Sequence, residues 1–507
     1  MSPPVRNPSL TPRSTHRTVT RGLRWNLFSE VAQTVFNVAA MLLLVRIIPP
    51  AEYGKATAAT SVLVLLTAFS AAGLLSHVLQ LHEGDEPDWT LHWHAALVLQ
   101  ASLFVLANLI AGVYWLLPAY RPAAPLLHIG SIGCLLNLPH LFAYQLLQRE
   151  LDFRTSRLGV VLCTLANTAT TVVLGLAGFG AYAIVIGAQV VGLLPLTIWL
   201  FAIRRWRPEG AWLRWPEWKR HVASMRFGGQ QMSLAFLSTA RGSLEAAVLP
   251  GTIGFGAIGL LGRAVGLQAQ TAGRAGNILR DTVYPLLPRS AGDPPTFARH
   301  TTLFAQATLL AAAPAAILVG MLGPQLSRVL YGTKWVAADP LIWPTALAGL
   351  GLATFQCGML VVQAASRLRA TLLIAATEAA LAAPIVLLTI RGASLERYAW
   401  LVAFAELAAG VIALLAASRH LAKGWSWSVL APGGVAAAAG ASAVLALRAP
   451  LGATRPGVQL ALMLPAFVTA ALIGLRVGFP SVLQDTIGRL RRGPTLLRWL
   501  GLRQSPV

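Results

Sequence analysis

Acidic residues are scarce in this chain. Among 507 residues, 18 Asp and Glu stand against 40 Lys and Arg, and charged residues of all kinds make up 11%. Soluble domains carry about a quarter charged residues, so an assembly of soluble domains does not fit. Cysteine is rarer still: Cys134, Cys163 and Cys357 all fall inside apolar runs. No disulfide framework or CxxC metal site can be built from them, and inert buried thiols are the reading that remains. No GxxxxGK[ST] loop is present, which excludes an ATP-driven pump of the Walker type. Ten-residue alternating segments do not recur, so a membrane β-barrel is excluded. No nucleophile–base pair stands out, and the chain reads as a non-enzyme without cofactor or metal.

Hydrophobicity is what the chain has in excess, at 56% of residues and a mean hydropathy of +0.63. Apolar runs of about 20 residues, enough to cross roughly 30 Å of hydrocarbon, recur near 25–48, 56–81, 93–117, 123–147, 158–178, 181–203 and 222–249, then near 254–280, 300–323, 340–363, 369–390, 397–418, 428–447 and 457–476. The fold expected is an all-α polytopic membrane protein of about 14 transmembrane helices. The polar interruption "RRWRPEGAWLRWPEWKRH" divides them, giving a tail at 1–24, a first lobe at 25–203, a connector at 204–221 and a second lobe at 222–418. Two further helices at 428–476 and a basic tail at 477–507 complete the chain. Interleaved Trp and basic residues suit the connector to the headgroup level of a membrane. The run after residue 24 is too long for a signal-peptide core, so it stays as helix 1.

A net charge of +22 would suggest nucleic acid in a soluble chain. Here the basic residues lie between apolar runs and act as topology signals and lipid contacts, so the bilayer is the partner and no nucleic acid is expected. Arginines concentrate in alternate connecting segments, which places both termini in the cytoplasm. The acidic "HEGDEPD" at 82–88 dissents, though acidic residues weigh little in this rule.

Polar stripes run along three of the expected helices. Helix 8 carries Arg263, Gln270, Arg274, Asn277 and Asp281, a spacing that keeps them within about 60° on one face at 3.6 residues per turn. Helix 7 carries Arg226, Gln230, Ser233, Arg241 and Glu245, and helix 1 carries Asn26, Glu30, Gln33 and Asn37. Such stripes at membrane depth imply a shared hydrated cavity. Arg241 and Glu245 stand one turn apart and read either as a neutralised structural pair or as cavity lining. Arg263 and Arg274 have no carboxylate one turn away, which suits an anionic ligand such as phosphate. Glu378 and Glu406 are isolated carboxylates, either structural partners or groups coupling H+ or Na+ to transport. "GFGAIG" at 254–259 opens a membrane helix and follows no strand, so it is no dinucleotide site. His77, His82, His92 and His94 lack the spacing of a metal site.

The opening stretch then shows a resemblance. Arg46 at the end of helix 1, "PAEYG" at 50–54 and the Gly73–Leu74 pair resemble bacterial polysaccharide-export flippases, as do "LLQRELDFR" at 146–154 and "GAIGLLGRAVGLQAQTAGRAGNILRDTVYPLLPRSA" at 256–291. This resemblance implies the multidrug/oligosaccharidyl-lipid/polysaccharide exporter superfamily. It implies two six-helix lobes around a central cavity lined by helices 1, 2, 7 and 8, in the bacterial inner membrane. It also implies flipping of undecaprenyl-pyrophosphate-linked oligosaccharide from the cytoplasmic to the periplasmic leaflet by alternating access, beside polysaccharide polymerase machinery. On that basis Arg226, Arg241, Arg263 and Arg274 would hold pyrophosphate or acidic sugar, and Asn26, Gln33, Asn37, Gln230, Gln270 and Asn277 would meet hydroxyls. Glu30, Glu245, Glu378 or Glu406 would couple an ion, and helices 13 and 14 would form a groove for the polyprenyl tail. A multidrug exporter of the same superfamily and a membrane glycan polymerase or ligase are the alternatives.

Overall fold

The computed structural model describes residues 12–70, 75, 88–217, 222–269, 286–365, 368–390, 392, 394–420 and 427–481. Among them all regular structure is helical. The long helices are α1 (Pro12–Ile47), α2 (Pro50–Thr67), α3 (Trp89–Leu116), α4 (Ala124–Arg149), α5 (Phe153–Leu176) and α6 (Ala181–Ile203). They continue with α7 (Val222–Val248), α8 (Pro250–Gln268), α9 (Pro294–Tyr331), α10 (Asp339–Ala364) and α11 (Leu368–Ile390), then α12 (Leu395–Ala417), α13 (Trp427–Leu451) and α14 (Pro456–Gly478). Among the described residues, 11 helices are long and apolar enough to cross a membrane. The all-helical, multi-pass architecture expected from the apolar runs is therefore what forms.

Boundaries differ where helices outrun the bilayer. α1 starts at Pro12, inside the basic tail, because a proline without its N–H fits the first turn of a helix. α9 has 38 residues, about 57 Å at 1.5 Å per residue, so it must tilt or project beyond the hydrocarbon. In α8 the "GFGAIG" stretch is a kink, with Gly254 at φ 81 inside the helix.

The chain forms two compact units, Met1–Gly251 and Thr252–Val507. The division falls after α7, whereas the sequence suggests a division in the 204–221 connector. In the first unit α1 lies on α5, α3 on α4, α5 on α6, and α2 against both α4 and α7. Two signature stretches staple this unit at opposite ends. At the connector end, α4 stops at Arg149 and Leu151 turns left-handed at φ 56. Asp152 Oδ1 then accepts the Thr155 N–H at 3.1 Å and caps α5, an interaction typically worth about 1 kcal/mol. Glu150 Oε1 accepts from Arg204 at 2.6 Å, and the Arg154 guanidinium lies 5.9 Å over the Trp25 ring. Burial pushes the Glu150 carboxyl up, aided by Asp152, and outweighs the pull of Arg204 in the other direction.

At the other end, the glutamate of "PAEYG" serves a second helix. Glu52 Oε2 accepts the Ala181 N–H at 3.1 Å and so caps α6, while Oε1 accepts from Lys55 at 2.6 Å. Burial works to raise this carboxyl, but the bonds from Lys55 and Ala181 outweigh it and hold Glu52 below the usual carboxylate range.

The connector is built into the first unit. Trp206 packs on Trp93 and Phe142 at ring distances of 5.0 and 4.4 Å, and Trp212 on Trp93 and Phe201 at 6.0 and 5.7 Å. His94 Nε2 lies 2.8 Å from the Ala211 carbonyl, and the Glu209 N–H donates to Thr90 at 3.0 Å.

In the second unit α10 and α12 form the tightest pair, because Gly351, Gly358 and Gly410 let the two backbones meet. Close packing of small residues replaces the hydrophobic driving force that lipid does not supply. α9 lies against α10, α13 and α14.

Candidate functional site

The polar stripes meet different fates. On α1, Asn26 is half-buried with its Oδ1 buried and unbonded. Gln33 donates to Ser29 Oγ at 2.9 Å and accepts from Thr164 of α5 at 3.4 Å, so it ties two helices together. Glu30 and Asn37 are exposed. On α7, Glu245 is buried and Ser233 is exposed, its Oγ donating to the Gly229 carbonyl at 2.8 Å. The side chains of Arg226, Gln230 and Arg241 lie outside the described residues, as do Gln270, Arg274, Asn277 and Asp281 in full.

Arg263 of α8 belongs to the second unit. It is half-buried, and its guanidinium sits 5.8 Å over the ring of Trp335, a fully buried residue between α9 and α10. A cation over an indole face is attracted by the ring quadrupole, and the more so where water is excluded. Glu378 is half-buried on α11. Glu406 is fully buried, its backbone pressed against Gly351 in the α10–α12 contact. Of the four histidines, His77 and His82 lie outside the described residues. His92 and His94 each lie 2.8 Å from a backbone carbonyl, of Asp88 and Ala211.

Three groups of polar residues had no mark in the sequence. Tyr114 donates to the Ala247 carbonyl at 3.0 Å and Tyr120 donates to that of Val248, with the two rings 5.0 Å apart. These are last-turn carbonyls of α7, which have no partner within their own helix, so the two phenols latch the end of α7 onto the end of α3. Burial raises the Tyr120 hydroxyl above its ordinary range, keeping it a donor. Between α3 and α4, Asn108 donates to Ser131 at 2.9 Å and its Oδ1 lies 2.7 Å from His128 Nδ1.

The third group lines a cavity of about 740 Å³ in the second unit, between α9, α10, α13 and α14. Its walls are apolar at Ile317, Met321, Leu445 and Met463. Its polar end holds Arg448, Gln459 and the Arg328–Asp339 ion pair, whose N···O distance is 2.8 Å. An amphiphile with an anionic head fits such a lining, since the chain can lie on the apolar walls and the head can reach the arginines.

A family model for polysaccharide biosynthesis protein matches residues 43–340, more than half of the chain. The chain belongs to the polysaccharide biosynthesis protein family. Among curated proteins, it is 26% identical over 346 residues to the succinoglycan biosynthesis transport protein ExoT of Rhizobium meliloti (strain 1021), covering 67% of this chain and 68% of ExoT. Among solved structures, it is similar to the lipid II flippase MurJ in an inward closed conformation. That match has a TM-score of 0.71 and 11% identity, over 92% of this chain and 100% of the other. An inward-facing multidrug resistance MATE family transporter of the MOP superfamily matches with a TM-score of 0.55 and 13% identity, over 76% of this chain and 93% of that one. At such identities the structural likeness carries the fold alone, an all-helical multi-pass membrane fold shared with both of those structures.

Proposed function

We propose that this family member flips an undecaprenyl-pyrophosphate-linked oligosaccharide between leaflets of the bacterial inner membrane by alternating access, for cell-surface polysaccharide synthesis. The observation that carries the reading is the amphipathic cavity where α13 and α14 meet α9. A soluble cationic drug has no use for a long apolar wall ending in arginines, whereas a polyprenyl chain with a pyrophosphate head uses both parts. ExoT, a succinoglycan transport protein, supports the polysaccharide assignment, and MurJ, a lipid II flippase, supports a lipid-linked form. In this reading Arg328 and Arg448 meet the head in that cavity, and Arg263, steadied on Trp335, Arg226, Arg241 and Arg274 are further anion contacts. Asn26, Asn37, Gln230, Gln270 and Asn277 would meet sugar hydroxyls. Gln33, already bonded to Ser29 and Thr164, would serve by holding α1 to α5. Glu30, Glu245, Glu378 and Glu406 are the carboxylates available for ion coupling.

The test is leaflet distribution of the glycan in cells lacking the protein, complemented with wild type or with Arg263→Gln/Arg274→Gln. Complete lipid-linked units should accumulate in the cytoplasmic leaflet without the protein, and equally with the double variant at normal membrane level. Units that reach the periplasm unpolymerised would replace the reading with a polymerase or ligase. An unchanged lipid-linked pool would replace it with a drug exporter.

A further inference from the structure

The connector leaves a feature that transport of a glycan does not require. Trp206 is packed into the aromatic cluster around Trp93, and Trp212, itself 48% exposed, lies with its ring against Trp93. The next three residues turn outward instead. Leu213 and Trp215 are 72% and 73% exposed, and the Arg214 side chain between them is 71% exposed. Together they wall a cavity of about 690 Å³ against one face of α3, formed by Leu97, Val98, Ala101, Val105, Leu106 and Leu109.

We propose that this slot binds one anionic phospholipid of the surrounding membrane, with its phosphate on Arg214 and one acyl chain laid along α3. The level is right. The connector is bonded to Thr90 and His94, in the first two turns of α3, and a Trp and an Arg side by side are residues of the membrane–water interface. The length is right as well: Leu97 to Leu109 rises about 18 Å along the helix, close to the roughly 15 Å depth of one leaflet's hydrocarbon. The slot is an open groove whose length matches one acyl chain, and its floor on α3 is aliphatic at Leu97, Val98, Val105, Leu106 and Leu109.

Charge selects the head. Glu217 Oε1 is 3.9 Å from the Arg214 guanidinium, too far for a hydrogen bond, so the planar fork can turn to a phosphate and bind two oxygens. Residues 204–217 hold four arginines against two glutamates, which favours anionic over zwitterionic lipid. The site depends neither on the glycan nor on the flipping reaction.

Native mass spectrometry of the full chain, released from vesicles of phosphatidylglycerol and phosphatidylethanolamine with matched chains, tests this. Wild type should retain one phosphatidylglycerol in preference. Arg214→Gln should cut that retention about tenfold and leave phosphatidylethanolamine adducts unchanged. Ala101→Trp, which fills the slot while sparing the arginine, should remove both adducts. Arg214 is a surface residue, so its variant does not threaten folding. Equal retention by wild type and both variants would overturn the proposal, as would a stoichiometric protein partner lost on Ala101→Trp.

Discussion

Removing the phenol oxygens of Tyr114 and Tyr120 should free the end of α7. Each donates to a last-turn carbonyl of that helix, and a neutral hydrogen bond of this kind contributes about 1 kcal/mol net. Tyr114→Phe or Tyr120→Phe alone should then lower the ratio of docked to undocked α7 ends about fivefold, and the double variant about 30-fold. These are lower bounds, since a carbonyl stranded away from water costs more than the bond it loses. Gly251→Ala offers an independent route, because a Cβ there would run into the Tyr120 ring. Spin labels on Leu117→Cys and Leu244→Cys, both exposed positions, would read the distance between the helix ends by double electron–electron resonance. The three native cysteines are buried, which keeps the labelling selective. A second, longer distance should appear in the Phe variants and in Gly251→Ala. A distribution identical to wild type in the double Phe variant would refute the latch.

The cap on α6 makes a pH prediction. Glu52 has a lowered pKa in the folded chain, so its stabilisation is complete above the unfolded value of about 4.3 for glutamate and fades as pH falls through the lower folded value. Thermal unfolding in detergent should therefore separate wild type from Glu52→Gln by a constant gap at neutral pH, closing only in acid; a gap already closed at pH 6 would refute the cap. Trp93→Ala removes the centre of the aromatic cluster and should cost about 3–5 kcal/mol locally. Limited proteolysis should then cleave within 204–217 in this variant and not in wild type, and an unchanged digest would show that the connector is held by other means.

The helical layers were legible because a membrane helix needs only length and apolarity, and the runs supply both. Even α6, broken by a 3-10 turn at Val191–Leu193 and closed by a π turn at Trp199–Ile203, reads as one span. Ends were less legible, since α1 and α9 continue as helices past the point where hydropathy falls. The stripe on α1 shows the limit of periodicity: Gln33 shares a face with Asn37, yet one bonds across to α5 and the other is exposed. Periodicity gives the face and cannot say what faces it. The tyrosine latch left no trace because its partners are backbone carbonyls, which every residue carries. "PAEYG" and "RELDF" are recognisable in sequence, but only the structure shows each as a helix cap serving the scaffold of the first unit. Those two short stretches are thus distinct from the residues proposed to meet the cargo, of which Arg263, Gln270, Arg274 and Asn277 lie in the third family-like stretch at 256–291.

The pinned connector also sets a mechanical limit. Trp212, packed on Trp93 and Phe201, stands ten residue steps before Val222, the first residue of α7. Fully drawn out, ten steps span about 36 Å at most. α7 is thus joined covalently at one end and held by a releasable catch at the other. Any stroke it makes has its amplitude capped by covalent geometry.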